Sequence, residues 1–407
     1  MAFALKTSAR NAWLAEFGMA DRGLARQLAD AIRFVPDKEL KDSLWKKLEE
    51  LLSENKETVA VFVEREQKHP GGKTQRLYKQ HTKRPKTAFG AAAKPVDPKL
   101  AYDPKVGSEG IIAQFASLFC KDHPRALFHP TAAYCIKKKV RRFVLITDIV
   151  GSGHRATDFL EAAWRTATLR SWHSYKRLRF EVVAFTATAL GESNVRSHPS
   201  GPNVRYCLGC PTIASVFPAN EARRIRDLCL RYDPLGADPV ESLGHKGTEA
   251  LIAFAHSIPN NVPRLLFKGS HPLFRQQITR GQFEESDNDA DLDARRLERL
   301  RQRRLAAGIR RETLRENARK TVVFLAASSR GPRTEDSLSR KTGLSIEEIR
   351  QMQALSRKAG WTDSQGRLTD SGHRELAHAR LIAKPPAKER LPGSDAPYYP
   401  QTLRTPF

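Results

Sequence analysis

Apolar residues along the chain keep two different periods. Between residues 24 and 52 they recur at helical spacing. Leu24, Leu28, Ala31 and Ile32 share one face, and after a break at Pro36-Asp37 so do Leu40, Leu44, Leu48 and Leu51, with charged residues between. Two surface helices are predicted there. Thr58-Val59-Ala60-Val61-Phe62-Val63 then reads as a short strand. Phe143-Val144-Leu145-Ile146 shows no polar alternation, the pattern of a parallel strand buried on both faces. Phe180 to Thr188 is a further strand, and Leu265-Leu266-Phe267 is read as a short terminal one. Strands of this kind separated by helical segments predict an α/β fold on a parallel sheet.

Asp148 stands where the central strand is expected to end. Gly151-Ser152-Gly153 follows, and a helix is predicted to open near Ala156-Thr157, with Phe159, Leu160, Ala163 and Trp164 at helical spacing. A strand, a small-residue loop and a helix N-terminus make an anion site: glycines let backbone N–H groups approach a phosphate, and the helix dipole favours its charge. In an open parallel sheet, ligands sit beyond the carboxyl ends of the strands. Two other small-residue loops precede apolar stretches. Gly107-Ser108-Glu109-Gly110 leads into a helix carrying Ile111, Ile112, Phe115, Leu118 and Phe119, and Ser108 either donates to a phosphate or caps that helix. Leu243-Gly244-His245-Lys246-Gly247 leads into an apolar stretch and a Pro259-Asn260-Asn261 turn. His245 and Lys246 either neutralise phosphate charge or lie on an exposed polar loop. The two asparagines are read as turn residues. A plain strand–turn–helix has the same glycines, so no single loop decides between the readings.

Charge adds a second theme. The 407 residues hold 70 Lys and Arg against 45 Asp and Glu, a net charge of +25. Such an excess points to a polyanionic partner, most simply nucleic acid, or else to a solvated basic surface. One basic stretch, Lys68 to Lys86, is broken by Gly and Pro and punctuated by Tyr78 and Phe89. It is read as a loop over an anionic ligand, a nucleic-acid contact or a solvated insert. The acidic and polar segment Gln282 to Asp293, read as an exposed linker, gives way to an arginine-dense helix over 295–320 with little apolar backing. No apolar run reaches transmembrane length, so no membrane association is expected. The N-terminus lacks a full signal-peptide pattern. Cys120, Cys135, Cys207, Cys210 and Cys229 are few and odd in number, which fits a reducing cytoplasm. Cys207-Leu208-Gly209-Cys210 has no second pair and is read as buried thiols.

Beyond Thr321 the pattern is compact: one helix through Val322 to Ala326, a short second from Thr334, and a third opened by Ser345 with Glu348 three residues later, a capping box. A hairpin over 361–369 and a last helix over 372–382 follow. The arrangement resembles a winged helix-turn-helix, in which the third helix enters the major groove and the wing touches backbone. Arg350, Gln351, Gln353, Arg357 and Lys358, with Arg367 on the wing, are the candidate nucleic-acid contacts. Glu347 and Glu348 oppose them, so a protein or a structured nucleic acid is the competing partner.

The stretch 142–156 resembles the phosphoribosyl pyrophosphate (PRPP) motif of type I phosphoribosyltransferases. That resemblance implies that Asp148 holds the ribose hydroxyls and a metal. It implies that Thr147, Gly151, Ser152, Gly153 and His154 surround ribose and its 5′-phosphate. Gly107, Ser108 and Glu109 would form the pyrophosphate loop, and His245 and Lys246 would face phosphate charge. The chain departs from the motif where Thr147 replaces the first acid and where His154 and Arg155 follow the glycines. Together with the stretch 243–251, the turn at 259–261 and the N-terminal helices, the loops resemble the phosphoribosyltransferase-like domain of bacterial conflict-system effectors over most of residues 10 to 275. Such proteins sit in anti-phage loci, including retron operons beside a reverse transcriptase. The resemblance implies glycosyl transfer at ribose C1 with PRPP or a nucleotide and Mg2+, and retron DNA or a reverse transcriptase as partner. A catalytically degenerate ligand sensor acting as a nucleic-acid-binding regulator is the alternative, and enzyme activity stays open. The acceptor and the oligomeric state are not legible.

The expected organisation is an α/β phosphoribosyltransferase-like core plus a C-terminal α+β winged helix. A helical region over 1–65 packs on the core, a basic insert spans 66–104, and the core runs over 105–280. An acidic linker and basic helix follow over 281–315, then the winged helix over 316–383 and an irregular tail over 384–407.

Overall fold

The computed structural model describes residues 2–67, 69–83, 85–93, 95–97, 108–236, 238–274, 283–286, 289–311 and 314–382. Gly107 and the expected tail at 384–407 lie outside them. The strands among these residues are β1 (Ala2–Leu5), β2 (Arg33–Val35), β3 (Val59–Val63), β4 (Lys79–Gln80), β5 (Ala88–Phe89), β6 (Ala126–Phe128), β7 (Arg142–Val150), β8 (Arg179–Ala187), β9 (Asn203–Gly209), β10 (Ile252–Phe254) and β11 (Phe283–Ser286). Five of them pair in parallel in the order β6-β3-β7-β8-β9. The α/β class is as expected.

Side chains alternate across the two faces of this sheet. Val61, Val63, Val144, Ile146, Val183 and Phe185 face the helices Thr7–Ala15, Met19–Asp30, Asp37–Ser53 and Ser108–Asp122. Phe62, Phe143, Leu145, Val182 and Ala184 face the helices His154–Trp164 and Ala167–Ser174. With both faces covered, the uninterrupted apolar run in β7 has a direct cause.

Three boundaries and the packing of the insert differ from expectation. β7 continues past Asp148, because Ile149 and Val150 still pair with Thr186 and Ala187. β3 lies between β6 and β7, so the sheet unit starts by residue 59 and not at 105. The terminal strand expected at Leu265 is a short 3-10 turn, Arg264–Leu266, closed by the Leu266 N–H donating to the Pro263 carbonyl at 3.1 Å. The strand is instead β10, which starts earlier in the chain at Ile252 and pairs in parallel with β2. The basic insert is not simply solvated: Leu77, Tyr78, Ala88 and Ala92 enter the second core cluster, and the Tyr78 hydroxyl donates to the Pro130 carbonyl at 2.7 Å.

The arginine-dense segment is also reorganised. It forms two helices, Asp289–Arg299 and Arg303–Arg311, separated at Arg301, which takes φ 58°. Ala294, Leu297, Leu305, Ala306 and Ile309 join Val323, Phe324, Leu344 and Met352 in a third core. Arg296 is turned inward, donating to Asp293 at 2.7 Å and to the Gly343 carbonyl at 3.1 Å. These helices belong to the C-terminal unit, whose remaining elements are Glu316–Ser328, Glu335–Thr342, Ile346–Lys358, a hairpin bridged at Thr362 and Leu368, and Asp370–Ile382. The unit sits on edge strand β9, where the Gly209 N–H donates to Ser339 Oγ at 3.0 Å.

Candidate functional site

The loop after β7 is fixed from two sides. Gly153 takes the left-handed conformation at φ 79°, which glycine adopts without a Cβ clash, and caps a helix that begins at His154, earlier than expected. The Thr188 hydroxyl donates to the Gly151 carbonyl at 2.6 Å, and Asn194 Nδ2 donates to the Ser152 carbonyl at 3.0 Å. From the other side, the Asn261 carboxamide packs on Gly151 so closely that a Cβ there would overlap it. Asn261 Nδ2 donates to Thr248 Oγ1 at 3.2 Å, and the Thr248 hydroxyl lies 2.9 Å from the Asn261 carbonyl. The 151–153 and 244–248 loops therefore meet through a buried asparagine. His245 holds Glu241, with Nδ1 3.2 Å from a carboxylate oxygen, while Lys246 is exposed.

Asp148 lies in the centre of this rim and is buried. Its Oδ1 accepts from the Ile149 N–H at 2.8 Å. The Thr147 hydroxyl is 3.2 Å from the same oxygen and 2.8 Å from Glu64 Oε2. Glu64 directly follows β3 and is also buried. One hydroxyl carries one hydrogen, so it cannot donate to both carboxylates at once. A proton on Glu64 completes the set. Burial pushes the Glu64 carboxyl up to about 7, against the pull of Arg155 and the Thr147 hydroxyl.

On its other side, Asp148 Oδ2 is 3.5 Å from His256 Nε2, and His256 Nδ1 is 3.5 Å from Asp37 Oδ1. Burial disfavours charge on both Asp148 and His256. Their mutual attraction nevertheless holds Asp148 below the usual carboxylate range and His256 above the usual imidazole range, with Asp37 adding to the latter. Ser108 hydrogen-bonds Asp148 as well, which brings the 108–109 turn to the same place. Arg155 contacts the Glu109 carboxylate, and its Nε lies 4.0 Å from Glu64. His154 is half exposed and shares Asp158 with His69 of the insert, at 3.5 and 3.3 Å.

Of the residues predicted for the site, the structure brings together Thr147, Asp148, Gly151, Ser152, Gly153, Ser108 and Glu109. His154 stands at the loop's outer side, and His245 and Lys246 belong to the adjoining loop.

In the C-terminal unit Arg350, Gln351, Arg357 and Lys358 are exposed and Gln353 partly so; Arg367 is exposed on the hairpin. Arg350 pairs with Glu335 at 2.9 Å. The two glutamates expected to repel phosphate are occupied: Glu347 lies 3.5 Å from Lys46, and Glu348 2.7 Å from Lys320.

A family model described as PRTase-CE matches residues 11–276, and one described as wHTH-PRTase associated matches residues 322–405. The chain belongs to the PRTase-CE family. No curated protein and no solved structure matches it. The PRTase-CE match takes in the five-stranded sheet, the loops at its carboxyl edge, β10 and His256. The second match opens inside the helix Glu316–Ser328, after the two arginine-rich helices that complete its core.

Four residues of the PRTase-CE site escaped the sequence reading as ligands or partners: Glu64, His256, Asp37 and Arg155. Glu64 had a legible signal, since it is an acid at the end of an apolar strand, as Asp148 nearly is. His256 had none once the strand was assigned to 265–267 instead of 252–254.

The donor set bears on magnesium. Among the described residues no three His, Cys, Asp or Glu side chains are grouped to hold a metal ion. Asp148 and Glu64 offer two carboxylates. That share suits Mg2+, which keeps substrate phosphate oxygens and water as its remaining ligands. Cysteines take no part: all five are free, and burial pushes the Cys207 and Cys210 thiols up to about 12. No helix among the described residues is long and apolar enough to cross a membrane.

Proposed function

We propose that the PRTase-CE domain binds a 5-phosphorylated ribose, as PRPP or a nucleotide with Mg2+, and transfers a group to or from ribose C1. The observation that carries this is the Glu64–Thr147–Asp148 bridge beside the Gly151–Gly153 loop. An ionised carboxylate and a carboxyl group poised near 7, next to an anion loop, match a sugar with neighbouring hydroxyls and a phosphate. Glu64 supplies from β3 the carboxylate that Thr147 lacks. In transfer from PRPP, the C1–O bond to diphosphate breaks and its electron pair leaves with diphosphate. The acceptor's lone pair forms the new bond to C1, and the acceptor loses a proton. Positive charge grows on the ribose ring as the bond breaks, and the Asp148 carboxylate, kept ionised by His256, favours it. Mg2+, when bound, neutralises diphosphate charge. The wHTH-associated domain attaches this chemistry to nucleic acid, such as retron DNA, or to a reverse transcriptase, in anti-phage defence within the cytoplasm.

Calorimetric titration with PRPP and Mg2+ tests the reading, alongside Asp148→Asn. Binding by the native chain that disappears in the variant is expected; equal binding by both would overturn it. A sensor is the second reading, favoured by the partners already engaging Asp148: Ile149, Thr147, His256 and Ser108. It predicts PRPP binding with no diphosphate release when candidate acceptors are added.

A further inference from the structure

Three segments far apart in sequence, 67–96, 129–147 and 162–180, contain no aspartate or glutamate, while lysines and arginines recur through all of them. The fold brings them together on one side of the PRTase-CE domain. The β4–β5 hairpin is the link. Its Ala88 N–H donates to Thr168 Oγ1 at 2.8 Å, and its Gln80 side chain accepts from the Ala167 N–H at 2.9 Å. The Ala132 N–H donates to the Gly90 carbonyl at 3.0 Å, which ties the helix Ala132–Lys137 to the same hairpin. The Arg179 N–H donates to the Arg141 carbonyl at 2.9 Å and joins the remaining two segments.

Six cations on this side are exposed. Lys83 and Lys86 lie on the hairpin, Lys138 and Lys139 follow the helix Ala132–Lys137, and Lys176 and Arg177 follow the helix Ala167–Ser174. None of these six has a carboxylate among the described residues within 4.0 Å, whereas Arg142 and Arg179 of the same segments, and Arg205, Arg226, Arg296 and Arg310 elsewhere, are in ion pairs. Aromatic rings are interleaved with them. Tyr175 is 72% exposed, and Phe89 and Tyr134 are each 40% exposed. Lys138 and Arg177 sit over Tyr134 and Tyr175, at 5.7 and 5.8 Å from the ring centres.

We propose that this face of the PRTase-CE domain binds single-stranded nucleic acid, independently of the winged helix. Uncommitted cations release counterions when they meet phosphates. Exposed rings offer stacking platforms to unpaired bases, which a duplex keeps turned inward.

The test uses the full chain and fluorescence anisotropy with labelled oligothymidine and a duplex of equal length, across a salt series. Replacing Lys83, Lys86, Lys138, Lys139, Lys176 and Arg177 by Gln is expected to weaken oligothymidine binding at least tenfold. The slope of log affinity against log salt should fall by about 4, at ~0.7 for each phosphate no longer met. Tyr175→Ala is expected to cost about tenfold on oligothymidine with an unchanged slope, and nothing on the duplex. A triple Ala variant at Arg350, Arg357 and Lys358 is expected to keep oligothymidine binding. Native-like binding by the six-site variant would overturn the proposal, as would loss of all binding in the winged-helix variant. An equal effect of Tyr175→Ala on duplex would overturn the single-strand preference. An unchanged melting temperature in each variant shows that the fold is intact.

Discussion

Arg340, in the second helix of the helix-turn-helix, donates from Nη2 to Glu192 Oε2 at 3.1 Å and to the Tyr206 hydroxyl at 3.0 Å. Glu192 belongs to the helix Ala189–Arg196, whose flanking Thr188 and internal Asn194 hold the 151–153 loop. One short helix thus touches both the candidate phosphate loop and the C-terminal domain. Arg340 is mostly buried at this contact, so Arg340→Ala leaves the shielded Glu192 carboxylate with only Arg196 and the Tyr206 hydroxyl as partners and removes the guanidinium's packing on Tyr206. We predict a loss of about 2 kcal/mol, measured as a lower urea midpoint with an unchanged m-value. An unshifted midpoint would mean that other contacts carry the docking. Gly209→Val should act in the same direction, since a Cβ at Gly209 would lie 2.7 Å from Arg340 Cγ and 3.0 Å from the Asp336 carbonyl.

Glu64 makes a pH-dependent contribution whose sign follows from burial. Its carboxyl is raised from 4.5 to about 7. The stability gained from keeping it protonated is full below pH 4.5 and is lost as pH rises through 7. Glu64→Gln removes the charge but keeps an acceptor for Thr147. The variant is therefore predicted to gain on the native chain by on the order of 3 kcal/mol between pH 4 and pH 8. Urea unfolding at both pH values measures it, and a pH-independent difference would sink the assignment. A group whose ionisation costs stability at neutral pH is what a ligand-binding carboxylate looks like before its ligand arrives.

The legible parts of this fold were those with long patterns. β7 and β8 are nine-residue strands buried nearly throughout, and their apolar runs stand out. β10 has three residues, embedded in an apolar stretch that also reads as helix, so the better isolated Leu265-Leu266-Phe267 drew the assignment that belonged to it. The Ser345–Glu348 capping box was legible, and both of its hydrogen bonds form. The arginine block misled for a physical reason: it breaks at Arg301 without glycine or proline, and Arg296 and Arg319 turn inward onto Asp293, whose role no local spacing reveals. Site contacts made across the ladder, such as Glu64 with Thr147, need the β3–β7 register and not only the residues.

His256 is predicted to position Asp148 electrostatically. Asp148 is lowered from 3.8 and His256 is raised from 6.5. The depressed acid contributes stability above its ordinary value and loses it as pH falls. The raised imidazole contributes below its ordinary value and loses it as pH rises. The pair's contribution is thus full between pH 3.8 and 6.5 and shrinks on either side. His256→Gln should lower the melting temperature most inside that window. Its loss there is expected at about 3 kcal/mol, because a buried carboxylate is left without its counter-charge. Asp37→Asn keeps an acceptor for Nδ1–H and should cost less. Equal melting deficits across the pH range would argue for a packing role in place of an electrostatic one.

The contact between Gly151 and Asn261 makes a prediction about coupling. Gly151 needs no unusual backbone angle; its constraint is space, because a Cβ would overlap the Asn261 carboxamide. Gly151→Ala is expected to destabilise the chain by about 2 kcal/mol through overpacking and to weaken PRPP binding by displacing the loop. Asn261→Ala has its own cost, since it removes the Nδ2 donor to Thr248, but it also vacates the volume that a methyl group at 151 would enter. The double variant should therefore lose less than the two single losses combined, with a coupling of about 1 kcal/mol in a double-mutant cycle read from urea unfolding. Simple additivity would show that the 151–153 loop and the 259–261 turn respond separately. The sign of the coupling thus tests whether the two loops form one site.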